Sequence, residues 1–352
     1  MLDGMARTLD RAVQRVERLP WGGPLSSGIA RTTTVVDLGF YARRLEEGPG
    51  SLFDALQKPS DVGVAGLGRI EGIEISQLSY SSPCQPLHPE FVGPFESMPE
   101  NHTCYARWLR PSARPGPTCV LLHDWREPTL RHAVRHGGAT LLARRGLGTV
   151  VPLLPHHGAR RPERARFSGD PFLCSDLVCT VESHLQAVRE TRALLRWLRE
   201  RGASPLGIVG WGLGGLVASL VCGLEGDLDF AVLLLAPSRL APLVMPEPAP
   251  LLREVAEEVK AQGLWGRLEE AWSPLDAARL APRLPSSKVR ILGARGDGLV
   301  PASEVERLAR ATAAPIEWVA GGHGRPGGAL RARGLPDRLL GALRGIGAFD
   351  AH

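Results

Sequence analysis

The stretch PLGIVGWGLGGLVASL, residues 205–220, decides how the rest of the chain is read. A short apolar run leads into a tight glycine turn, and an apolar helical pattern follows. Two chemistries use a strand–turn–helix of this kind. One sets a catalytic serine at the middle of the turn, in the pattern G-x-S-x-G. The other lays glycines against a dinucleotide pyrophosphate, in the pattern G-x-G-x-x-G. Here the middle residue is Gly212, between Trp211 and Leu213. The second pattern is met literally, and the first is met without its hydroxyl.

The surroundings separate the two. Apolar runs at 118–123, 148–155, 206–210, 230–237, 288–294 and 315–320 read as strands, with helical sequence between them. That alternation predicts a mostly parallel sheet of about eight strands with helices on both faces. Two runs of alternating pattern, 70–80 and 102–110, read as an antiparallel entry to it. The clearest helix lies within 176–201, where Leu177, Val181, Leu185, Val188, Leu195 and Leu198 form one stripe and Gly202 is placed to end it. A dinucleotide fold usually begins with its glycine turn and closes the next strand with an acid that holds the ribose. Here at least four strands precede the turn, and the next strand ends in Pro237, Ser238 and Arg239. A dinucleotide-dependent oxidoreductase using this turn therefore stands as the weaker alternative, and no cofactor is expected.

The hydrolytic pattern makes two further demands. Its acid and its histidine should follow the turn in that order, on loops after the last strands. After the run at 288–294 comes RGDGLVP, which offers Asp297; after the run at 315–320 comes GGHGRP, which offers His323. An imidazole at that ordinal position, following that acid, reads as a base and its orienter.

At this point the sequence resembles the α/β-hydrolase superfamily. Within it, residues from about 95 to 345 are similar to the α/β-hydrolase domain-containing protein 18 family and related bacterial esterase-like proteins. The stretches that carry the resemblance are PFESMPENHTCYARWLRP, PHHGARRP, VRETRALLRWLRERGASPLGIVGWGLGGLVASL, and GDGLVPASEVERL with IEWVAGGHGRP. The resemblance implies an α/β-hydrolase fold and a small-molecule ester or acyl-lipid ligand. The family turn carries serine where this chain has Gly212. The expected organisation is an N-terminal helical extension over 1–65, with an amphipathic helix over 2–19, and an α/β-hydrolase domain over 66–347. Pro-rich sequence at 238–286 forms a small cap-like insertion.

Glycine at such a turn removes the nucleophile and relaxes a backbone that costs any other residue about 1–3 kcal/mol. The remaining parts are expected as follows. Leu213 supplies one oxyanion donor through its backbone N–H, and the loop His123-Asp124-Trp125 should supply the second. Asp124 either sets a carboxylate where an oxyanion would develop or points away as an exposed loop acid. His156 and His157 are placed to line the mouth, as a weak ligand set for an acidic substrate or a metal. Ser219 and Cys222 should pack against the sheet. A serine put back at 212 would stand beside His323, and without it His323 could activate a water only slowly. The expected function is thus a degenerate or very weak ester hydrolase or a ligand-binding pseudoenzyme. The alternative is an active esterase-like hydrolase that works through a water or an unrecognised nucleophile.

Composition agrees with an ordinary globular protein: of 352 residues, 43% are hydrophobic and 22% charged, and no apolar run is long enough for a bilayer. The N-terminal sequence is charged throughout and lacks a signal-peptide core, so a cytoplasmic location is expected. The net charge of +5 is spread along the chain, and the excess is arginine. The densest basic cluster, 158–166, reads as a solvated loop, and no aromatic-interleaved stripe suggests nucleic acid. The six cysteines show no metal-ligand spacing and sit mostly in apolar runs, where a buried thiol is expected. Oligomeric state is not legible.

Overall fold

A computed structural model describes residues 37–54, 59, 61–245, 247–280, 284–323 and 335–348. The helix expected over 2–19 lies outside these residues. Nine strands form one sheet: β1 (Gly63–Ile70), β2 (Ile73–Ser81), β3 (Thr103–Arg110), β4 (Thr118–Leu122), β5 (Gly148–Pro152), β6 (Leu206–Trp211), β7 (Phe230–Leu234), β8 (Val289–Ala294) and β9 (Ile316–Val319). Their spatial order is β1-β2-β3-β5-β4-β6-β7-β8-β9. The pairs from β1 to β5 are antiparallel, and every pair from β5 through β9 is parallel.

The central strands β4, β6 and β7 are buried at every position. Their continuous apolar runs are what a sheet covered on both faces requires. Val120, Ile208, Ala231, Leu233 and Ile291 point to one core, and Cys119, Leu121, Val209, Val232, Leu234 and Leu292 to the other. Period-2 alternation within each run feeds both cores at once.

The long helix α1 (Leu177–Glu200) starts at Asp176, whose side chain accepts from the Cys179 N–H at 2.9 Å. All six stripe residues named above are buried. The described part of the N-terminal region lies against this helix: Tyr41 donates its hydroxyl to Glu182 at 2.8 Å, and Arg189 donates to the Leu52 carbonyl at 2.9 Å. Segment 238–286 folds into short helical pieces, among them Ala241–Val244, Arg253–Ala261 and Leu268–Ala271. Leu240, Leu243, Leu252, Val259 and Leu268 from these pieces are buried in the first core.

The basic cluster 158–166 is not simply a solvated loop, because Arg160 is fully buried. Its guanidinium donates to both oxygens of Glu190 at 2.7 Å, and to the carbonyls of Leu153 and Asn101 at 2.9 and 2.8 Å. A planar donor fork that binds a carboxylate in two places is the arrangement that lets a charge leave water.

Candidate active site

The glycine turn joins β6 to helix α2 (Gly212–Leu224). Gly212 has φ +50°, in the left-handed region, and the two glycines after it serve close packing. A Cβ on Gly214 would collide with the backbone of Leu122 and His123, and one on Gly215 with Ala236. The three glycines let the helix start descend onto the ends of β4 and β7. This is a backbone reason for the G-x-G-x-x-G look of the turn, and it needs no cofactor.

Asp297 sits in the turn after β8, where one of its carboxylate oxygens accepts the N–H groups of Leu299 and Val300, both at 2.8 Å. Its other oxygen lies 2.8 Å from Nδ1 of His323, on the loop after β9. The acid and the base expected from chain order are thus brought together beside the turn.

The group that completes the chain is Asp124, from the loop after β4. Its Oδ2 lies 2.9 Å from Nε2 of His323. Its Oδ1 accepts the N–H of Leu213 at 3.0 Å and the N–H of Trp125 at 2.7 Å. These are the two donors that the hydrolytic pattern assigns to an oxyanion hole. A Cβ built on Gly212 would fall inside the carboxyl group of Asp124. Asp124 therefore fills the hole with one oxygen and stands where a serine side chain would stand. Of the two orientations left open by the sequence, the exposed loop acid is not adopted. At the Cβ position of residue 212 the space is taken by this carboxylate rather than left open. A serine restored at 212 cannot coexist with Asp124 in this position.

Asp124 is held there by His123 beneath it. Nε2 of His123 accepts the Leu154 N–H at 3.0 Å, so the ring proton is on Nδ1 and is donated to the Asp124 carbonyl at 2.7 Å. Burial pushes this imidazole down to about 4, and it stays neutral. Trp125 anchors the far side through its indole N–H, 2.7 Å from the Gly169 carbonyl.

The electrostatics follow from two carboxylates facing one ring. Burial alone would lower the basicity of His323, but the charge of Asp297, and then that of Asp124, holds it well above 6.5. Burial would likewise raise Asp124, yet the His323 charge and hydrogen bond, with the N–H groups of Leu213 and Trp125, bring it below 3.8. At neutral pH these two shifts set an imidazolium at His323 against a carboxylate at Asp124.

His156 and His157 do not line a mouth. They are 1% and 0% exposed, and burial first of all keeps both neutral, His156 down to about 3. Nε2 of His157 accepts the Arg126 N–H at 3.2 Å, so this residue supports the Asp124 loop from below. The strand before PHHG carries these rings inward, a direction that two adjacent polar residues in a sequence do not reveal. Trp211 is nearly buried on the second core, Ser219 donates to the Gly215 carbonyl at 2.7 Å, and Cys222 is buried, with its thiol pushed up to about 12.

Outside this chain of groups, Glu127, His132 and His136 bring one ligand atom each within 4.8 Å of one another. Two imidazole nitrogens and a carboxylate suit a borderline divalent cation. No metal set is expected from the sequence; His132 and His136 sit one turn apart on helix Leu130–His136, and Glu127 reaches them from the segment before it. As for a dinucleotide, the start of α2 already holds an anion in Asp124 Oδ1, and a pyrophosphate would meet that charge. The turn does not fit the group.

The family described as "Alpha/beta hydrolase domain containing 18" matches residues 70–240. The chain is an α/β-hydrolase superfamily member that resembles this family. It is 32% identical over 265 residues to "Uncharacterized protein Rv2627c" of Mycobacterium tuberculosis (strain ATCC 25618 / H37Rv), a match covering 71% of this chain and 59% of that relative's length. Among solved structures it resembles the acetyl xylan esterase from Paenibacillus sp. R4, with a TM-score of 0.61 at 15% identity over 89% of this chain and 95% of that one. It also resembles acetyl xylan esterase 1 from Thermoanaerobacterium sp. JW/SL YS485, with a TM-score of 0.59 at 12% identity over 94% and 100%. At these identities the likeness is one of fold.

Proposed function

We propose that this α/β-hydrolase has lost ester hydrolysis by the serine route and is degenerate or very weak toward esters. The observation that supports the reading is the seat of the Asp124 carboxylate. Acyl transfer needs a nucleophile under the carbonyl and two free N–H donors for the oxyanion. Position 212 offers no hydroxyl, and both donors are engaged by Oδ1 of Asp124. An oxyanion developing beside that oxygen would meet like charge, a repulsion of about 4 kcal/mol at 4 Å in partly solvated protein. By itself this slows the step by about three orders of magnitude. His323, held protonated between its carboxylates, is no base for water at neutral pH.

The solved structures of like fold include esterases by name, so the ligand to test first is a small ester that is bound without being turned over. The test is p-nitrophenyl acetate and butyrate turnover, together with labelling by a fluorophosphonate. Rates at the buffer background and an unlabelled protein are expected. Turnover that disappears in His323→Ala, or stoichiometric label on any serine, overturns the reading.

A further inference from the structure

We infer that Asp124 is itself a nucleophile, and that the site hydrolyses substrates bearing a leaving group on a saturated carbon, such as primary alkyl halides. The inference rests on the reading that the ester route is closed, and it gives the same atoms a different use.

The two oxygens of Asp124 are placed differently. Oδ1 is fixed by two backbone N–H donors, and Oδ2 faces only the imidazole among its described partners. Exposure falls inward along the chain of groups: the Asp124 side chain is 18% exposed, that of His323 9% and that of Asp297 2%. Of the three, the carboxylate is the group an entering molecule meets first. An acyl substrate cannot use this arrangement, because its own oxyanion would need the hole that Oδ1 fills. A saturated carbon develops no oxyanion in the first step, so a filled hole does not oppose attack on it.

In that first step an Oδ2 lone pair forms the new C–O bond. The carbon–halogen bond breaks, and its electron pair leaves with the halide. No proton moves, which favours a leaving group that departs as a stable anion over an epoxide, whose oxygen would need a proton that the His323 Nε2–H directs at Oδ2 instead. The product is an alkyl ester of Asp124. Esterification removes one of the two charges that hold the proton on His323, and the ring gives that proton to solvent.

In the second step neutral His323 takes a proton from a water whose oxygen attacks Cγ of Asp124. The charge falls on Oδ1, which already lies between the N–H groups of Leu213 and Trp125. What fills the hole in the resting protein is the oxyanion of the second step, held in place beforehand. Collapse breaks the Cγ–Oδ2 bond, and the alcohol leaves with the proton from His323. The carboxylic acid then returns its own proton to the ring. The sum is alkyl halide plus water giving alcohol plus hydrogen halide. The atoms mark the route, because the product carries Oδ2 and the water oxygen enters the carboxylate.

The experiment uses the full chain with 1-bromohexane. Wild type should release bromide over many turnovers, and in ¹⁸O water the label should enter the Asp124 carboxylate, with the first-turnover alcohol unlabelled. His323→Gln should stop after one equivalent and gain the mass of one hexyl group, located on the peptide containing Asp124. Asp124→Asn should lose bromide release down to buffer background. If His323→Gln does not fold, the ¹⁸O measurement on wild type decides alone. Label entering the alcohol directly, alkylation of a cysteine instead of Asp124, or no bromide release by wild type overturns the inference. Any of these leaves the lapse of ester hydrolysis standing, since that reading fails only on ester turnover or serine labelling.

Discussion

Nε2 of His323 lies 2.9 Å from Oδ2 of Asp124, although 199 residues separate the two in the chain. Asp124 arrives from the end of β4 and crosses the start of α2, where Gly212 leaves room for it. The two positions are therefore conditional on each other. A side chain at 212 and a carboxylate seated at 124 exclude one another, so glycine in the turn is the steric partner of the aspartate as much as the loss of a serine.

The charge on His323 can be tested through Asp124→Asn. The amide keeps the shape and an oxygen for the Leu213 and Trp125 N–H groups, but removes one of the two charges facing the ring. The His323 titration, followed by NMR of its ring protons, should move down from its wild-type value, with Asp297 still in place. The variant should lose about 1.5–3 kcal/mol, the usual worth of one hydrogen bond to a charged group. An unmoved titration would mean that Asp124 does not face the ring in solution.

Stability should also depend on pH with a definite sign. The folded-state basicity of His323 is raised, so its contribution is full below about 6.5 and is lost as pH rises through the raised value. Asp124 is lowered, so its contribution is present above about 3.8 and is lost as pH falls through the lower folded value. Denaturant unfolding across pH 6 to 10 should show a falling alkaline limb in wild type that flattens in His323→Gln. Equal slopes in the two proteins would remove His323 from the account.

Much of the fold was legible because the buried central strands announce themselves as unbroken apolar runs; β4 through β9 all fall on runs read from the sequence, although β9 is only partly buried and carries the exposed Glu317. β1 was not legible. Its residues GVAGLGRI are exposed at all eight positions, so no burial pattern was there to read. Asp297 and His323 were legible from chain order alone. Asp124 was recognised as a residue of interest, but its direction depends on the neutral His123 bridging to Leu154 and on Trp125 reaching Gly169, contacts that no local pattern encodes. His156 and His157 were misplaced for the same reason, since polarity in a sequence suggests an open site while these rings satisfy themselves inside. Arg160 was misread because its partner Glu190 lies a helix away.

That last pair gives a stability test remote from the site. Arg160→Met would leave the Glu190 carboxylate inside the protein without its cation, among neutral partners such as Gln186 and Ser82. Removing one member of a buried ion pair costs about 3–5 kcal/mol. Equilibrium unfolding of Arg160→Met should show a loss of that order, and adding Glu190→Gln should recover part of it by removing the stranded charge. If the double variant is no more stable than the single, the pair is not the source of the effect.

The coupling between Gly212 and Asp124 supports the sharpest test of the site. Gly212→Ser alone should be destabilised by more than the roughly 1–3 kcal/mol of backbone strain at a left-handed position. The new side chain must also drive Asp124 from the N–H groups of Leu213 and Trp125 and from His323. This variant should remain at background in ester hydrolysis, contrary to what the turn alone would suggest, because the displaced carboxylate still crowds the hole. Gly212→Ser combined with Asp124→Gly clears the space and frees both donors, and it leaves the new hydroxyl facing a ring oriented by Asp297. Losing the Asp124 charge also makes His323 less strongly protonated, and so a better base. The double variant should regain stability relative to Gly212→Ser and hydrolyse p-nitrophenyl acetate, with the activity abolished by His323→Ala. Additive stability effects of the two substitutions, measured by unfolding, would show that the side chains never met and that Asp124 does not sit over the turn.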